Sequence, residues 1–473
     1  MTRDGLLGKI VGFSLVSVVS AMLSFVVVPV STHIYDAESL GKINFFFSVT
    51  SISLTVFCLG LDQGYGRFYS IATCEEARKR LLSFNMLVCS AVLSGVGIVA
   101  FVTNDALSVF LFGVPGKPAY LMLYSMTLFA VVLRFLSLRY RLAESVAGYT
   151  VFAGLIAIVQ KGLYVLSAPF STSYEVAIGF VALICVPMLF VSIAHERKAL
   201  VRPRLRENAE FYLKEIRFSI PLLVSSLVTV LTNYVPQFAI RGLLGFSSVS
   251  LFTAALTVSL AVNLIQNGFN SFWAPYVYSH YESQQGKIMQ VHEAIVMVAV
   301  TACMLLAMVS DAAFLLLDPA YSAGSRLVPF LALGPLCYTI GETAGVGINL
   351  KLKSGLNLLI SFTTLVSSVV LSIALVLLVG VTGGALAVGF SALIGLGCKT
   401  LIGERFYRSI RDKSFMIRGL LPYLGVCVIA LVLADNPVLR IAIDGSLLVL
   451  SFVLYGRQRV SWIVSRFVSG LGR

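Results

Sequence analysis

A chain of 473 residues that is 58% hydrophobic and only 12% charged has too little polar surface to cover a soluble fold of its size, so a membrane protein is indicated. The net charge of +13 comes from basic residues lying between apolar runs, not from one continuous stripe, which excludes nucleic acid as the natural partner. Eight scattered cysteines imply neither a disulfide framework nor a zinc site.

Apolar windows follow one another at 9–33, 43–64, 81–103, 119–139, 147–168, 175–194, 219–240, 247–274, 289–311, 326–349, 355–379, 383–403, 418–434 and 438–456. About 20 apolar residues cross a hydrocarbon core of about 30 Å, and backbone groups in lipid must satisfy one another. The pattern predicts an all-α polytopic membrane protein of about fourteen transmembrane helices. The first window begins within ten residues and is too long for a signal-peptide core, so it is expected to stay as an anchor.

The loops set orientation. With a cytoplasmic N-terminus, roughly 29 of the 35 Lys and Arg fall on the cytoplasmic side, about five fall outside, and Lys161 lies within a span. The C-terminus is then cytoplasmic as well. The richest cytoplasmic segments are HERKALVRPRLRENAEFYLKEIRF (195–218), ERFYRSIRDK (404–413) and the tail GRQRVSWIVSRFVSGLGR (456–473). That tail places Trp462, Ile463 and Phe467 near Arg459 and Arg466, which suits either the inner membrane surface or an ordinary basic tail.

Helix two ends DQGYGRFY (62–69) and helix eight ends QNGFNSFW (266–273), each with an amide before glycine and an aromatic after it. Pro29 corresponds to Pro236, Pro118-Ala119-Tyr120 to Pro319-Ala320-Tyr321, and LRYR (138–141) to LKLK (350–353). Offsets near 200 residues, with both halves starting from the cytoplasm, predict a parallel repeat about an axis along the membrane normal. The expected organisation is a six-helix lobe (1–195), a basic cytoplasmic linker (196–218), a second six-helix lobe (219–404), and two extra helices with the tail (405–473).

Two such lobes would leave a groove in need of polar lining. Ser48, Ser51, Thr55 and Asp62 share one face of helix two; Ser226, Thr229, Asn233 and Gln237 share one of helix seven; Ser259, Asn263, Gln266, Asn267 and Asn270 lie on helix eight. Any one of these residues could equally join two helices by a hydrogen bond; three stripes together favour a lined path.

A charge near the bilayer centre costs about 2.5–3.5 kcal/mol on insertion scales, so it is usually paired or wet. Lys161 in AIVQKGLY (157–164) suits either an anion in a cavity or an ammonium reaching outward to the interface. Glu342, with Tyr338, Thr339 and Asn349 on its face, suits either proton or cation uptake or a static ion pair with Lys161. Asp62 and Arg67 lie in LGLDQGYGRFY (59–69) at the cytoplasmic end of helix two. Arg67 either lines the inner mouth or satisfies helix-end carbonyls and headgroups. In the same stretch Gly60 and Gly64 permit close helix contact, and Gly66 is expected to let the chain leave the helix. Arg134, Arg139 and Arg141 make a basic end to helix four.

PVSTHIYDAESLGKINFFFSVTSISLTVFCLGLDQGYGRFYS (29–70) and DPAYSAGSRLVPFLALG (318–334) resemble the polysaccharide-transporter family, the O-antigen and capsule repeat-unit flippases of the multidrug/oligosaccharidyl-lipid/polysaccharide exporter superfamily. Many members carry arginine where His33 stands; a histidine there would titrate near neutral pH. The resemblance implies alternating access by two lobes in a bacterial inner membrane, moving an undecaprenyl-diphosphate-linked oligosaccharide from the cytoplasmic to the outer leaflet. On that reading Lys161, Arg67 and Arg134 meet anionic groups, Asn233, Gln237, Asn263 and Asn267 meet sugar hydroxyls, and Glu342 or Asp62 couples transport to H+ or Na+. A polysaccharide polymerase and a chain-length regulator are the protein partners it suggests, and membrane lipids surround the chain. The default state is a monomer.

No G-x-x-x-x-G-K-[ST] phosphate loop is present, and no cofactor is expected. A cation-coupled multidrug antiporter of the same superfamily would need acids to dominate the cavity. A membrane polysaccharide polymerase would need a sizeable loop with catalytic groups, whereas the outer loops are short and hold no carboxylate pair, Ser-His-Asp set or metal-ligand spacing. His195, His280 and His292 are expected to be solvated near the cytoplasmic surface. An enzyme is therefore not expected.

Overall fold

The computed structural model describes residues 3–351, 353–434 and 436–456. The aromatic and basic tail at 459–467 lies outside the described residues. Among the described residues the fold is all-helical. In chain order the helices are α1 (Arg3–Ile34), α2 (Ala37–Phe57), α3 (Leu61–Ile71), α4 (Glu75–Val102), α5 (Asn104–Phe112), α6 (Ala119–Leu142), α7 (Val146–Lys161), α8 (Tyr174–His195) and α9 (Ala209–Leu244). There follow α10 (Phe246–Ser259), α11 (Asn263–His280), α12 (Gln285–Phe314), α13 (Val328–Ala344), α14 (Val346–Leu350), α15 (Ser354–Val379), α16 (Val381–Phe406), α17 (Lys413–Val432) and α18 (Pro437–Tyr455).

Among the described residues thirteen helical segments are long and apolar enough to cross a membrane, and the shorter apolar α7 accounts for the remaining expected window. Side chains such as Ile98, Leu183, Leu315 and Leu378 are exposed, with Leu378 at 77%, as lipid rather than water as solvent would allow. The protein is a multi-pass membrane protein.

Helix ends follow local chemistry. Asp36, between α1 and α2, accepts from the amides of Glu38 and Ser39 at 3.1 and 3.0 Å and so caps α2. Burial alone would raise its carboxyl, but these hydrogen bonds outweigh burial and hold it below its ordinary value.

The expected second span, 43–64, divides. Leu59 and Gly60 both take left-handed backbone, φ 54° and 70°, which stops α2 and restarts the chain as α3. The break therefore falls at Leu59-Gly60 and not at Gly66, which lies inside α3 with open space where a Cβ would be. The expected close contact at Gly60 and Gly64 is present: a Cβ on Gly60 would collide with the Ser219 carbonyl, and one on Gly64 with the Ser219 hydroxyl.

Contacts within the chain divide it into two compact units, Met1–Tyr234 with Phe246–Ser250, and Val235–Gly245 with Leu251–Arg473. The division falls inside α9 because its first part is seated on α3 through those glycines. In the first unit Phe46 stacks on Phe112 with centroids 5.9 Å apart, and Phe45 meets Phe246 edge-on. In the second, Trp273, Val277, Ile288 and Val346 form a buried cluster. There α14 approaches α16 so closely that a Cβ on Gly347 would strike the Gly403 carbonyl.

Candidate functional site

In the first unit the break at Gly60 turns Asp62 toward α6. Both Nε and Nη2 of Arg134 donate to Asp62 Oδ2, at 3.3 and 3.1 Å. Their side chains are 43% (Arg134) and 16% (Asp62) exposed, so this pair is shielded on the acid's side and open on the cation's. Two residues expected to play separate parts, one coupling and one substrate-binding, are thus brought together. Gln63 Nε2 donates to Ser226 Oγ at 2.5 Å, tying the end of the α2–α3 stripe to that of α9. Arg67 is exposed, and the Ser70 hydroxyl donates to its carbonyl at 2.7 Å.

The hydroxyls of the α2 stripe donate to carbonyls one turn back: Ser48 to Asn44, Ser51 to Phe47, Thr55 to Ser51. On α9, Thr229 does the same to Ser225, and Asn233 is exposed. Lys161 stands in the last turn of α7, exposed, with Nζ 3.4 Å from the Ser20 carbonyl of α1. His33 is exposed, its Nδ1 2.9 Å from the Pro29 carbonyl.

A cavity of about 470 Å³ opens at the end of the first unit where α3, α4 and α6 finish or begin, lined by Tyr65, Tyr69, Arg78, Lys79, Arg139 and Glu144 among others. Arg78 lies 4.6 Å over the Tyr69 ring and donates from Nε to the Ala72 carbonyl. Lys79 pairs with Glu75 at 3.1 Å, and Arg139 pairs with Glu196, which also accepts from the Tyr140 hydroxyl. Glu144 holds a left-handed φ of 56°, a strained conformation at the cavity rim. The basic end of helix four pointed to Arg139; Tyr65 and Tyr69 carried no signal beyond their place in LGLDQGYGRFY, and Arg78 carried none.

In the second unit Glu342 Oε1 accepts from Lys399 Nζ at 2.6 Å. The lysine comes from α16, not from Lys161, and it lies 5.2 Å over the Tyr338 ring. Trp273 Nε1 donates to the Glu342 carbonyl at 3.1 Å, which fixes this turn of α13. The expected polar face holds only in part: Tyr338 is 47% exposed, whereas Thr339 is buried and donates to the Pro335 carbonyl. Asn263 is half-buried at the start of α11 and Asn267 is exposed, but Gln237 is only 2% exposed and does not present its amide to solvent. Its position beside Pro236 put it in register with the α9 stripe; packing around the second half of α9 decided its burial.

Solvation was also the wrong expectation for His292. It is 1% exposed on α12 with Nδ1 2.7 Å from the Thr343 hydroxyl, because α12 turns that face toward α13. His280 stacks on Tyr276 at 4.9 Å, and His195 is exposed.

Two buried polar groups escaped the sequence reading. Arg440 of α18 donates to Asp311 at 3.1 Å and to Ser310 at 2.9 Å, with Asp444 3.9 Å away. Charges at the ends of the apolar windows 289–311 and 438–456 were its available signal. The other is Glu215, wholly buried on α9 and bonded to Asn85 of α4 at 2.8 Å. Among the described residues no group of three His, Cys, Asp or Glu is placed to hold a metal.

These features define a multi-pass helical membrane protein in two units, with exposed and paired charges on its helices. The fold recurs in the lipid II flippase MurJ in an inward closed conformation, with TM-score 0.67 at 15% identity over 98% of this chain and 99% of that one. It recurs in an inward-facing multidrug resistance MATE family transporter of the MOP superfamily, with TM-score 0.56 at 16% identity over 81% and 94%. No curated protein sequence matches this chain. The chain belongs to the polysaccharide biosynthesis protein family, whose sequence profile matches residues 6–280.

Proposed function

We propose that this protein is a flippase for undecaprenyl-diphosphate-linked oligosaccharide repeat units of an O-antigen, capsule or exopolysaccharide. It exposes a polar path alternately to the cytoplasmic and outer sides of a bacterial inner membrane, with both termini in the cytoplasm. Membership of a polysaccharide biosynthesis family together with a fold shared with a lipid II flippase supports a lipid-linked glycan as cargo. The observation that carries most weight is the cavity bearing Arg78, Lys79 and Arg139 at the end of the first unit. Its cations suit the diphosphate of such a lipid better than a cationic drug.

On this reading Arg67 and Lys161, both exposed, offer further positive charge, and Asn233, Asn263 and Asn267 offer amides to sugar hydroxyls. Arg134 reaches the substrate only when Asp62 lets it go. The Asp62–Arg134 and Glu342–Lys399 pairs would then act as switches: H+ or Na+ taken up by either carboxylate frees a cation for the anionic cargo. A polymerase and a chain-length regulator would receive the product at the outer face.

The test is leaflet transfer of a fluorescent polyprenyl-diphosphate oligosaccharide in liposomes, scored with an impermeant quencher, with and without a proton or sodium gradient. Protein-dependent transfer is the expected result. No transfer under any gradient, with a cationic dye moving instead, would replace this reading with that of a multidrug antiporter.

A further inference from the structure

Glu215 is a wholly buried acid of the first unit with no ion pair among the described residues. Asp62 is held by Arg134, Glu196 by Arg139, Glu76 by Arg80 and Glu75 by Lys79. Glu215 is 0% exposed, its Oε1 accepts from Asn85 Nδ2, and its Oε2 has no hydrogen-bond partner among the described residues. Around it, from α3, α4 and α9, stand Gly64, Tyr65, Asn85, Cys89, Tyr212 and Ser219.

Among the described residues no positive charge faces this carboxyl. Arg139 lies beyond Tyr65 and is held by Glu196, and Arg78 lies over Tyr69. Arg80, near Tyr212, is held by Glu76. On α9 itself Lys214 and Arg217 are exposed on the opposite face, and Lys214 pairs with Glu210. A carboxylate buried with one amide donor and an empty second oxygen is costly, whereas a carboxylic acid in the same place needs no counter-charge.

The 36 residues of α9 extend about 54 Å, well beyond a hydrocarbon core of about 30 Å, and Glu210, Lys214, Glu215 and Arg217 precede its apolar stretch. What closes Glu215 off is the seat of α9 on α3, where Gly60 and Gly64 leave just enough room for Ser219. Neither glycine tolerates a side chain, so the contact is tight when formed, and the Phe68 ring against Phe211 and Phe218 and the Gln63–Ser226 hydrogen bond are what must part when it loosens.

We propose that Glu215 is a proton-binding site, occupied while α9 is seated on Gly60 and Gly64 and emptied when that contact loosens, through which a proton gradient drives the flippase. This rests on the flippase reading for its purpose, though not for the proton itself. No covalent step is involved: the proton moves between water and one carboxylate oxygen. The site adds a carrier of protons to the two ion pairs, whose carboxylates already hold cations.

Two measurements on the full-length protein separate the proton from the transport. The first is the infrared difference spectrum across a pH step in the purified protein, read at the carboxylic acid C=O stretch of Glu215→Gln and Glu215→Asp variants, with Glu210→Gln as a surface control. The expected result is an acid band in the native protein that is lost in Glu215→Gln, displaced in Glu215→Asp and unchanged in Glu210→Gln. A native spectrum without that band, or a band that survives Glu215→Gln, overturns the proposal whatever the protein transports.

The second is the liposome assay with a fluorescent polyprenyl-diphosphate oligosaccharide under an imposed proton gradient. Glu215→Gln is expected to keep downhill transfer and lose a several-fold gradient stimulation, while Glu215→Asp keeps the stimulation with a displaced pH midpoint. Full stimulation in Glu215→Gln overturns the proposal. Absence of transfer in the native protein removes the flippase reading, and the infrared band then decides the proton site alone.

Discussion

Removing the charge of Glu342 while keeping its shape should destabilise the second unit by about 1–3 kcal/mol. At 2.6 Å and an effective dielectric near 20, the attraction between Lys399 and Glu342 is about 6 kcal/mol. Dehydrating both ions takes back most of that, and side chains 23% (Lys399) and 25% (Glu342) exposed are partly screened, which leaves the smaller figure. Lys399 cannot simply swing away once its partner is neutral. Its stem lies where a Cβ on Gly341 or Gly345 would touch it at 3.1 or 3.2 Å, so the ammonium is left beside Tyr338 with only the cation–π contact. The assay is apparent Tm by intrinsic fluorescence in detergent at a fixed scan rate, where the loss corresponds to a fall on the order of 2–6 °C. Glu342→Gln and Lys399→Met should each lower Tm, and the double variant should recover most of the loss because no lone charge remains. Single effects that simply add in the double variant, or single variants that leave Tm unchanged, would refute a coupled pair.

Gly60→Ala should lower the apparent Tm by several degrees, since a methyl would collide with the Ser219 carbonyl at a φ of 70°, whereas Gly66→Ala, facing open space, should leave it unchanged. Lys161→Ala should abolish surface polysaccharide while membrane-extracted protein stays at native abundance by immunoblot; full retention of polysaccharide would remove Lys161 from the substrate path. Asp36→Ala should weaken the start of α2 by about 1 kcal/mol. Because the folded Asp36 carboxyl is held low, its contribution is complete above the ordinary carboxylate pKa of about 3.9 and is lost as pH falls through the folded value. A thermal scan in which native and Asp36→Ala proteins stay equally far apart well below that pH would count against the cap.

Arginine 440 shows the difference between reading charge and reading contact. Its presence just inside an apolar window is plain in the sequence, but that it is 1% exposed and shared by Asp311, Ser310 and Asp444 follows only from α12 and α18 lying side by side. The same holds for the acids singled out beforehand. The sequence shows that Glu342 sits where charge is expensive and Asp62 at the cytoplasmic end of a span, and for Glu342 a partner or water is required by physics alone. Which partner is a long-range matter: Arg134 lies 72 residues from Asp62, and Lys399 lies 57 from Glu342.

What the sequence by itself determined is what depends on local composition: an all-helical membrane protein, the order of its apolar spans, and the family likeness carried by residues 29–70. Length, hydropathy and caps act within a helix or a turn, so a single strand of text contains them. Only the tertiary structure decided that the second span breaks at Leu59-Gly60, that Gln237 and His292 are buried, and that Glu215 sits sealed without a cation. Those outcomes depend on which helix lies against which. In a chain whose helices are apolar on nearly every face, periodicity marks no preferred side, and contacts between small residues and a few polar side chains make the choice.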